Sequence, residues 1–124
     1  MKKILYVEDD YDIANAVKLI LSSSGFSVDI AFKGVEGIEK ARTDTFDLIM
    51  LDVMLPDMSG WDIYAELKTK IKSKYVFLSA IPISNERFKE LKDQGICDYI
   101  MKPFIKSDLI ERIQKISFYQ KDNE

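Results

Sequence analysis

Six polar side chains in this sequence could do chemistry together, and they stand at the ends of short apolar runs. Glu8, Asp9 and Asp10 follow Ile4–Val7, Asp52 follows Leu48–Leu51, Ser79 follows Tyr75–Leu78, and Lys102 follows Tyr99–Met101. Taken one at a time each has a dull explanation: a solvated acidic loop, a turn hydroxyl, a surface ammonium. As a set they are complementary. Carboxylates crowded together raise one another's pKa unless a cation intervenes. Hard oxygen donors with room for water suit Mg²⁺ or Mn²⁺ rather than zinc. A carboxylate beside such an ion can attack a phosphoryl donor and become an aspartyl phosphate. A lysine and a hydroxyl nearby can then hold the phosphoryl oxygens, one by charge and the other by hydrogen bonding.

Composition narrows the alternatives. With 124 residues, 47% hydrophobic and 31% charged, the chain has the make-up of one globular domain. Eighteen basic against 21 acidic residues leave a net charge of −3, which gives no nucleic-acid or membrane surface. The absence of histidine removes histidine metal sites, Ser-His and Cys-His pairs, and any phosphohistidine carried by this chain. Cys97 is the single cysteine, so no internal disulfide can form, and a small half-buried role suits it. Four apolar residues after Met1-Lys2-Lys3 are too few for a signal peptide, and no apolar run approaches membrane-spanning length. The expected location is the cytoplasm.

The elements that must position these groups alternate along the chain. Strands are expected at Ile4–Val7, Phe26–Ala31, Leu48–Leu51, Tyr75–Leu78 and Tyr99–Met101. Between them, helical spacing places Ile13, Ala14, Ala16, Val17, Ile20 and Leu21 on a first apolar face, with Gly25 closing that helix. Gly34–Thr43 follows, with Val35, Ile38 and Ala41 inward. A third helix runs from Ser59 or Gly60 to Lys70, with Trp61, Ile63 or Tyr64, Ala65 and Leu67 inward. Ser84 or Asn85 caps a fourth helix bearing Phe88 and Leu91 and closed by Gly95. Ser107 caps a fifth, with Leu109, Ile110, Ile113 and Ile116 inward. The fold class is α/β, a five-stranded parallel sheet with helices on both faces. Residues 1–119 form the domain and 120–124 a polar tail. The strand ends then meet along one edge, where open α/β sheets place their ligands.

The motifs ILYVEDD, LIMLDVMLPDMSGWD, FLSA and DYIMKPF, with 43 residues from Asp9 to Asp52 and 50 from Asp52 to Lys102, resemble the response-regulator receiver domains of two-component signalling. The resemblance runs from Lys3 to Ile116 and implies a flavodoxin-like fold with strand order 2-1-3-4-5. It implies that Asp52 is the phosphoacceptor, served by a histidine kinase or phosphotransfer protein, and that the domain is a signalling switch rather than a metabolic enzyme. Glu8, Asp9, Asp52 and the Met54 backbone carbonyl would hold Mg²⁺ or Mn²⁺, with Asp10 at a variable position. Ser79 and Tyr99 match the switch pair, Lys102 the phosphate-contacting lysine, and Lys102–Pro103 a cis bond. Arg87, Asp98, Asp108 and Arg112 match charged positions that pair across a dimer of helix 4, strand 5 and helix 5. The downstream protein target stays unknown, with no direct contact to nucleic acid or membrane.

Three features depart from the family's habit. Met54 and Ile81, two residues beyond Asp52 and Ser79, are apolar where polar residues often place the hydrolytic water, so slow autodephosphorylation is expected. Pro82 stiffens the loop after strand four. Of the other readings, an aspartate-nucleophile phosphohydrolase usually wants a second acid at the Met54 position. A receiver that keeps the fold but is never phosphorylated would be marked by loss of Mg²⁺ binding.

Overall fold

The computed structural model describes the backbone of residues 1–122 and the side chains through Ile116. Among these residues, strands β1 (Lys3–Val7), β2 (Ser27–Ala31), β3 (Leu48–Leu51), β4 (Lys74–Ser79) and β5 (Ile96–Met101) alternate with helices α1 (Tyr11–Ser23), α2 (Gly34–Thr43), α3 (Gly60–Leu67), α4 (Asn85–Asp93) and α5 (Lys106–Asp122). All pairings are parallel, and the strand order is β2-β1-β3-β4-β5. This is the flavodoxin-like arrangement. The register aligns Ala31, Val7, Leu51, Phe77 and Tyr99 in one row across the sheet. Glu8 and Asp52 are the first residues beyond that row, and Ser79 and Lys102 lie two and three beyond it.

Side chains alternate across each strand, so the sheet parts two apolar layers. Leu5, Val7, Ile49, Leu51, Tyr75 and Phe77 pack with α2, α3 and α4. Ile4, Tyr6, Leu48, Met50, Val76 and Leu78 pack with α1 and α5. The central strands β3 and β4 are buried throughout apart from Lys74 at the start of β4, which is why they read as continuous apolar runs rather than as alternations. Of α4, only Leu91 is fully buried, so this helix is held to the sheet by less apolar contact than its neighbours.

Several boundaries and faces differ from expectation. Strand β5 starts at Ile96, three residues early, because Ile96 pairs with Tyr75 across an irregularity in the ladder. Ala16, Val35 and Ala65 are exposed. The buried stripes run instead through Ala14, Val17 and Leu21 in α1, through Gly34, Gly37, Ile38 and Ala41 in α2, and through Gly60, Ile63, Tyr64 and Leu67 in α3. Helix α5 already begins at Lys106, with the Leu109 N–H donating to the Ile105 carbonyl, so Ser107 stands inside the first turn and is not its cap. The same helix takes in residues 120–122 of the expected tail; residues 123 and 124 lie outside the described residues. Gly25 and Gly95 close α1 and α4 at φ of 94° and 106°, the left-handed region that favours glycine.

Candidate functional site at the strand ends

The pocket is built by β-ladder bonds carried one step past the strands. The Glu8 N–H donates to the Ala31 carbonyl at 2.9 Å, that of Asp52 to Val7 at 3.1 Å, and that of Lys102 to Ser79 at 2.9 Å. These fix the backbone from which each functional side chain leaves. The Lys102–Pro103 bond is cis, as expected. Glycine is required at residue 60, because a Cβ there would lie 2.2 Å from the Asp52 carbonyl oxygen. The start of α3 therefore packs directly on the backbone of Asp52.

Glu8, Asp9 and Asp52 each bring a carboxylate oxygen within 4.8 Å of the others. Glu8 and Asp52 are buried while Asp9 is exposed, so the cluster is dry at its base and open to water at its mouth. Lys102 Nζ donates to Glu8 Oε1 and, at 3.0 Å, to Asp52 Oδ2. Glu8 also accepts from the Tyr6 hydroxyl at 2.8 Å and from the Asp10 N–H at 3.2 Å. The remaining Asp52 oxygen, Oδ1, accepts from the Met54 N–H at 3.3 Å.

One ammonium faces three carboxylates, and the electrostatics register the surplus. Burial pushes the Glu8 carboxyl above the ordinary carboxylate range and the charge of Asp52 pushes it the same way, against the hydrogen bonds from Lys102 and Tyr6. Burial alone would lower the Lys102 ammonium, but Glu8 and Asp52 outweigh it and hold it above the usual lysine value. Burial, reinforced by Glu8, drives the Tyr6 hydroxyl upward, so it stays a donor. A hard divalent cation fits this donor set: oxygen-only, excess negative, and open on the Asp9 side.

Asp10 is not part of the cluster. It is the N-cap of α1, its side chain accepting from the Ile13 N–H at 3.1 Å. Tyr6 is a functional neighbour that sequence reading passed over, since inside an apolar run it looks like core. Its signal was spacing, because a strand places Tyr6 and Glu8 on the same face.

Ser79 is buried, and its Oγ accepts from the Ile81 N–H at 3.2 Å. Tyr99 is buried too, donating through its hydroxyl to the Ile81 carbonyl. Burial raises its pKa, and Asp52 adds to the rise. Its ring stacks on Trp61 at 6.3 Å, and the Arg87 guanidinium of α4 lies 5.3 Å from the Trp61 ring. A continuous path of contacts thus joins β5 to α3 and α4.

Of the charged residues expected on the outer face, three come together. Arg112 forks onto Asp98 at 2.8 and 2.9 Å and reaches Asp108 at 3.6 Å. Arg87 stands apart, paired with Glu90 at 3.1 Å. Between α4, β5 and α5 lies a cavity of about 630 Å³ whose lining includes Lys74, Lys92, Arg112 and Lys115. No helix among the described residues is long and apolar enough to cross a membrane.

Comparison with known proteins agrees with this geometry. The family described as Response regulator receiver domain matches residues 4–114. The chain is 37% identical over 114 residues to response regulator ArlR of Staphylococcus saprophyticus, covering 92% of this chain and 51% of that protein. It therefore spans about half the length of the curated relatives it matches. Among solved structures, a CheY-like response regulator receiver domain protein from Methanospirillum hungatei superposes with a TM-score of 0.88 at 32% identity, covering 100% of this chain and 99% of that one. Response regulator protein TrrA from Thermotoga maritima, solved in complex with Mg²⁺ and BeF, gives 0.79 at 30% identity over 93% and 98% of the two chains.

Proposed function

The chain belongs to the family of response regulator receiver domains, and from that premise we propose that Asp52 is its phosphoacceptor. The observation that carries the proposal is the juxtaposition of the Glu8, Asp9 and Asp52 carboxylates with Lys102 Nζ bridging two of them. Glu8, Asp9, Asp52 and the Met54 carbonyl would hold Mg²⁺ or Mn²⁺, which when bound offsets the crowded negative charge and screens that of an incoming phosphoryl group. An Asp52 carboxylate oxygen attacks phosphorus, the bond from phosphorus to the donor's leaving atom breaks, and an acyl phosphate remains on Asp52. Lys102 turns from the carboxylates to a phosphoryl oxygen. The Ser79 hydroxyl leaves the Ile81 N–H and donates to another.

Movement of Ser79 frees its neighbours Ile81 and Tyr99, and Tyr99 contacts Trp61, which contacts Arg87. The reading that follows is a change in the α4–β5–α5 face. Helix α4, with one fully buried residue, is the element least costly to move. The donor would be a histidine kinase or phosphotransfer protein in the cytoplasm, and the face would serve a second copy or a downstream protein. Met54 and Ile81 leave no polar side chain at the two positions that often place a hydrolytic water, so the acyl phosphate should outlast a lifetime of seconds.

The test is intact mass after incubation with acetyl phosphate and Mg²⁺, beside an Asp52→Asn variant. A gain of about 80 Da, one phosphoryl group on a nucleophilic carboxylate, is expected in the wild type alone. Equal labelling of the variant would place the acceptor elsewhere. Decay of the label within seconds would overturn the slow-hydrolysis reading.

A further inference from the structure

We infer that Asp57 is a positioning residue for the divalent cation, holding the β3–α3 loop in place by clasping the N-terminus of α2. The inference rests on the reading that the Met54 carbonyl and Asp52 serve the ion. Helix α2 begins after Lys33, whose extended backbone suits an N-cap but whose side chain makes no capping hydrogen bond. The cap comes instead from 23 residues away. Asp57 Oδ1 accepts from the Gly34 N–H at 2.8 Å and Oδ2 from the Val35 N–H at 2.9 Å. An anion at this end also meets the positive pole of the helix.

The loop that supplies Asp57 is closed at its base and needs a tie at its tip. At the base, the Gly60 N–H donates to the Val53 carbonyl at 2.8 Å, and Met54 and Ser59 form an isolated bridge. Met54 itself has an exposed side chain, so its own side-chain packing does not hold its carbonyl in place. Pro56 is exposed as well. Leu55 and Met58 pack against the core from this loop, and Met58 lies so close to Gly34 that a Cβ there would be 2.3 Å from Met58 Cγ, but the loop's polar tie to the neighbouring helix is the Asp57 clasp. A metal-binding backbone group presented by an exposed loop gains directional support from such a hydrogen-bonded contact, as side-chain ligands do from outer partners.

The capping role and the positioning role separate in a set of four proteins: wild type, Asp57→Ala, Lys33→Ser, and the double variant. The Lys33→Ser change supplies a local cap without touching the loop. The double variant also loses one charge of each sign, so its net charge equals that of the wild type. Mg²⁺ affinity is read from Trp61 fluorescence, stability from urea denaturation, and local order from hydrogen exchange at Gly34, Val35 and residues 53–58. Asp57→Ala should lose stability, lose protection at both ends of the clasp, and bind Mg²⁺ about tenfold more weakly, the scale of lost outer-shell support. The double variant should regain stability and protection at Val35 while its Mg²⁺ affinity stays low. Recovery of affinity together with stability would overturn the clasp as a positioning device and leave only a cap. So would affinity within twofold of wild type in Asp57→Ala. A wild type that binds no Mg²⁺ would overturn the reading of the site itself, and the inference with it.

Discussion

Two groups of ion pairs in this molecule share their chemistry and differ in their surroundings. At the strand ends Lys102 joins Glu8 and Asp52, whose side chains are 1% and 9% exposed. On the outer face Arg112 joins Asp98 and Asp108, which are 15% and 53% exposed. In the first group water cannot take the place of a missing partner, so each charge depends on the others and on whatever cation arrives. In the second, solvent and salt screen each pair, and loss of one is largely absorbed. The buried group is therefore suited to sense a ligand, whereas the outer group is suited to tune contacts. Lys40 falls between them, bonding Asp29 and the Ile30 carbonyl at 2.8 Å each from a side chain one-third exposed.

The contrast can be broken most easily at Lys102. Lys102→Met leaves Glu8 and Asp52 facing each other in a buried site, and metal-free urea denaturation should show a loss of about 3 kcal/mol. Much of that loss should return with saturating Mg²⁺. A loss under about 1 kcal/mol would put the pocket in the same class as the surface pairs. Asp52→Asn should act in the opposite direction. Removing one of the crowded charges ought to stabilise the metal-free protein in urea denaturation, because the like-charge repulsion with Glu8 is relieved. Unchanged or lowered stability would mean that Lys102 already compensates both carboxylates in full.

Lys40 sharpens the middle ground through pH. The hydrogen bond to Asp29 leads the effects that raise its pKa above the usual lysine value, against a lowering by burial. A raised pKa means that its contribution is complete below the unfolded lysine value and is lost as pH climbs through the higher folded value. The stability gap between wild type and Lys40→Met should thus be constant near neutrality, at about 1 kcal/mol, and close in alkali. A gap that stays open through strong alkali would mean that the ammonium is not the source of the stabilisation. The smallest change belongs to Arg112→Ala, about 0.5 kcal/mol in dilute buffer and nothing measurable in about 1 M salt. A larger, salt-resistant loss would show that the outer network is not a surface network in the energetic sense.

The same contrast explains what the sequence disclosed. Asp52 and Lys102 were legible because apolar runs of strand length ended on them, and parallel strands bring their ends to one edge whatever the details between. The alternation of strands and helices was legible for the same reason. Features set by contacts between distant segments were not. Asp10 stood beside two members of the carboxylate cluster, yet its backbone geometry makes it a helix cap. Val35 fitted an apolar period, but the buried stripe of α2 is set by the close approach of Gly34 and Gly37 to Met58 and Val7. Asp57 caps a helix that precedes it in the chain, which no local pattern reveals. The one hint was negative: Lys33 and Gly34 open a helix with no Ser, Thr, Asp or Asn to receive its first amides.

The sheet that parts the two apolar layers also divides labour between them. Trp61, Phe77 and Tyr99 all lie in the layer shared by α2, α3 and α4, and so does every side chain on the path from Ser79 toward α4 that packs in a core. The layer under α1 and α5 meets the pocket chiefly through the Tyr6 hydroxyl. A protein built this way can be retuned on one side without being rewired on the other. Repacking around Ala14, Val17 or Leu21 offers a thermostat, and repacking around Trp61 offers a volume control.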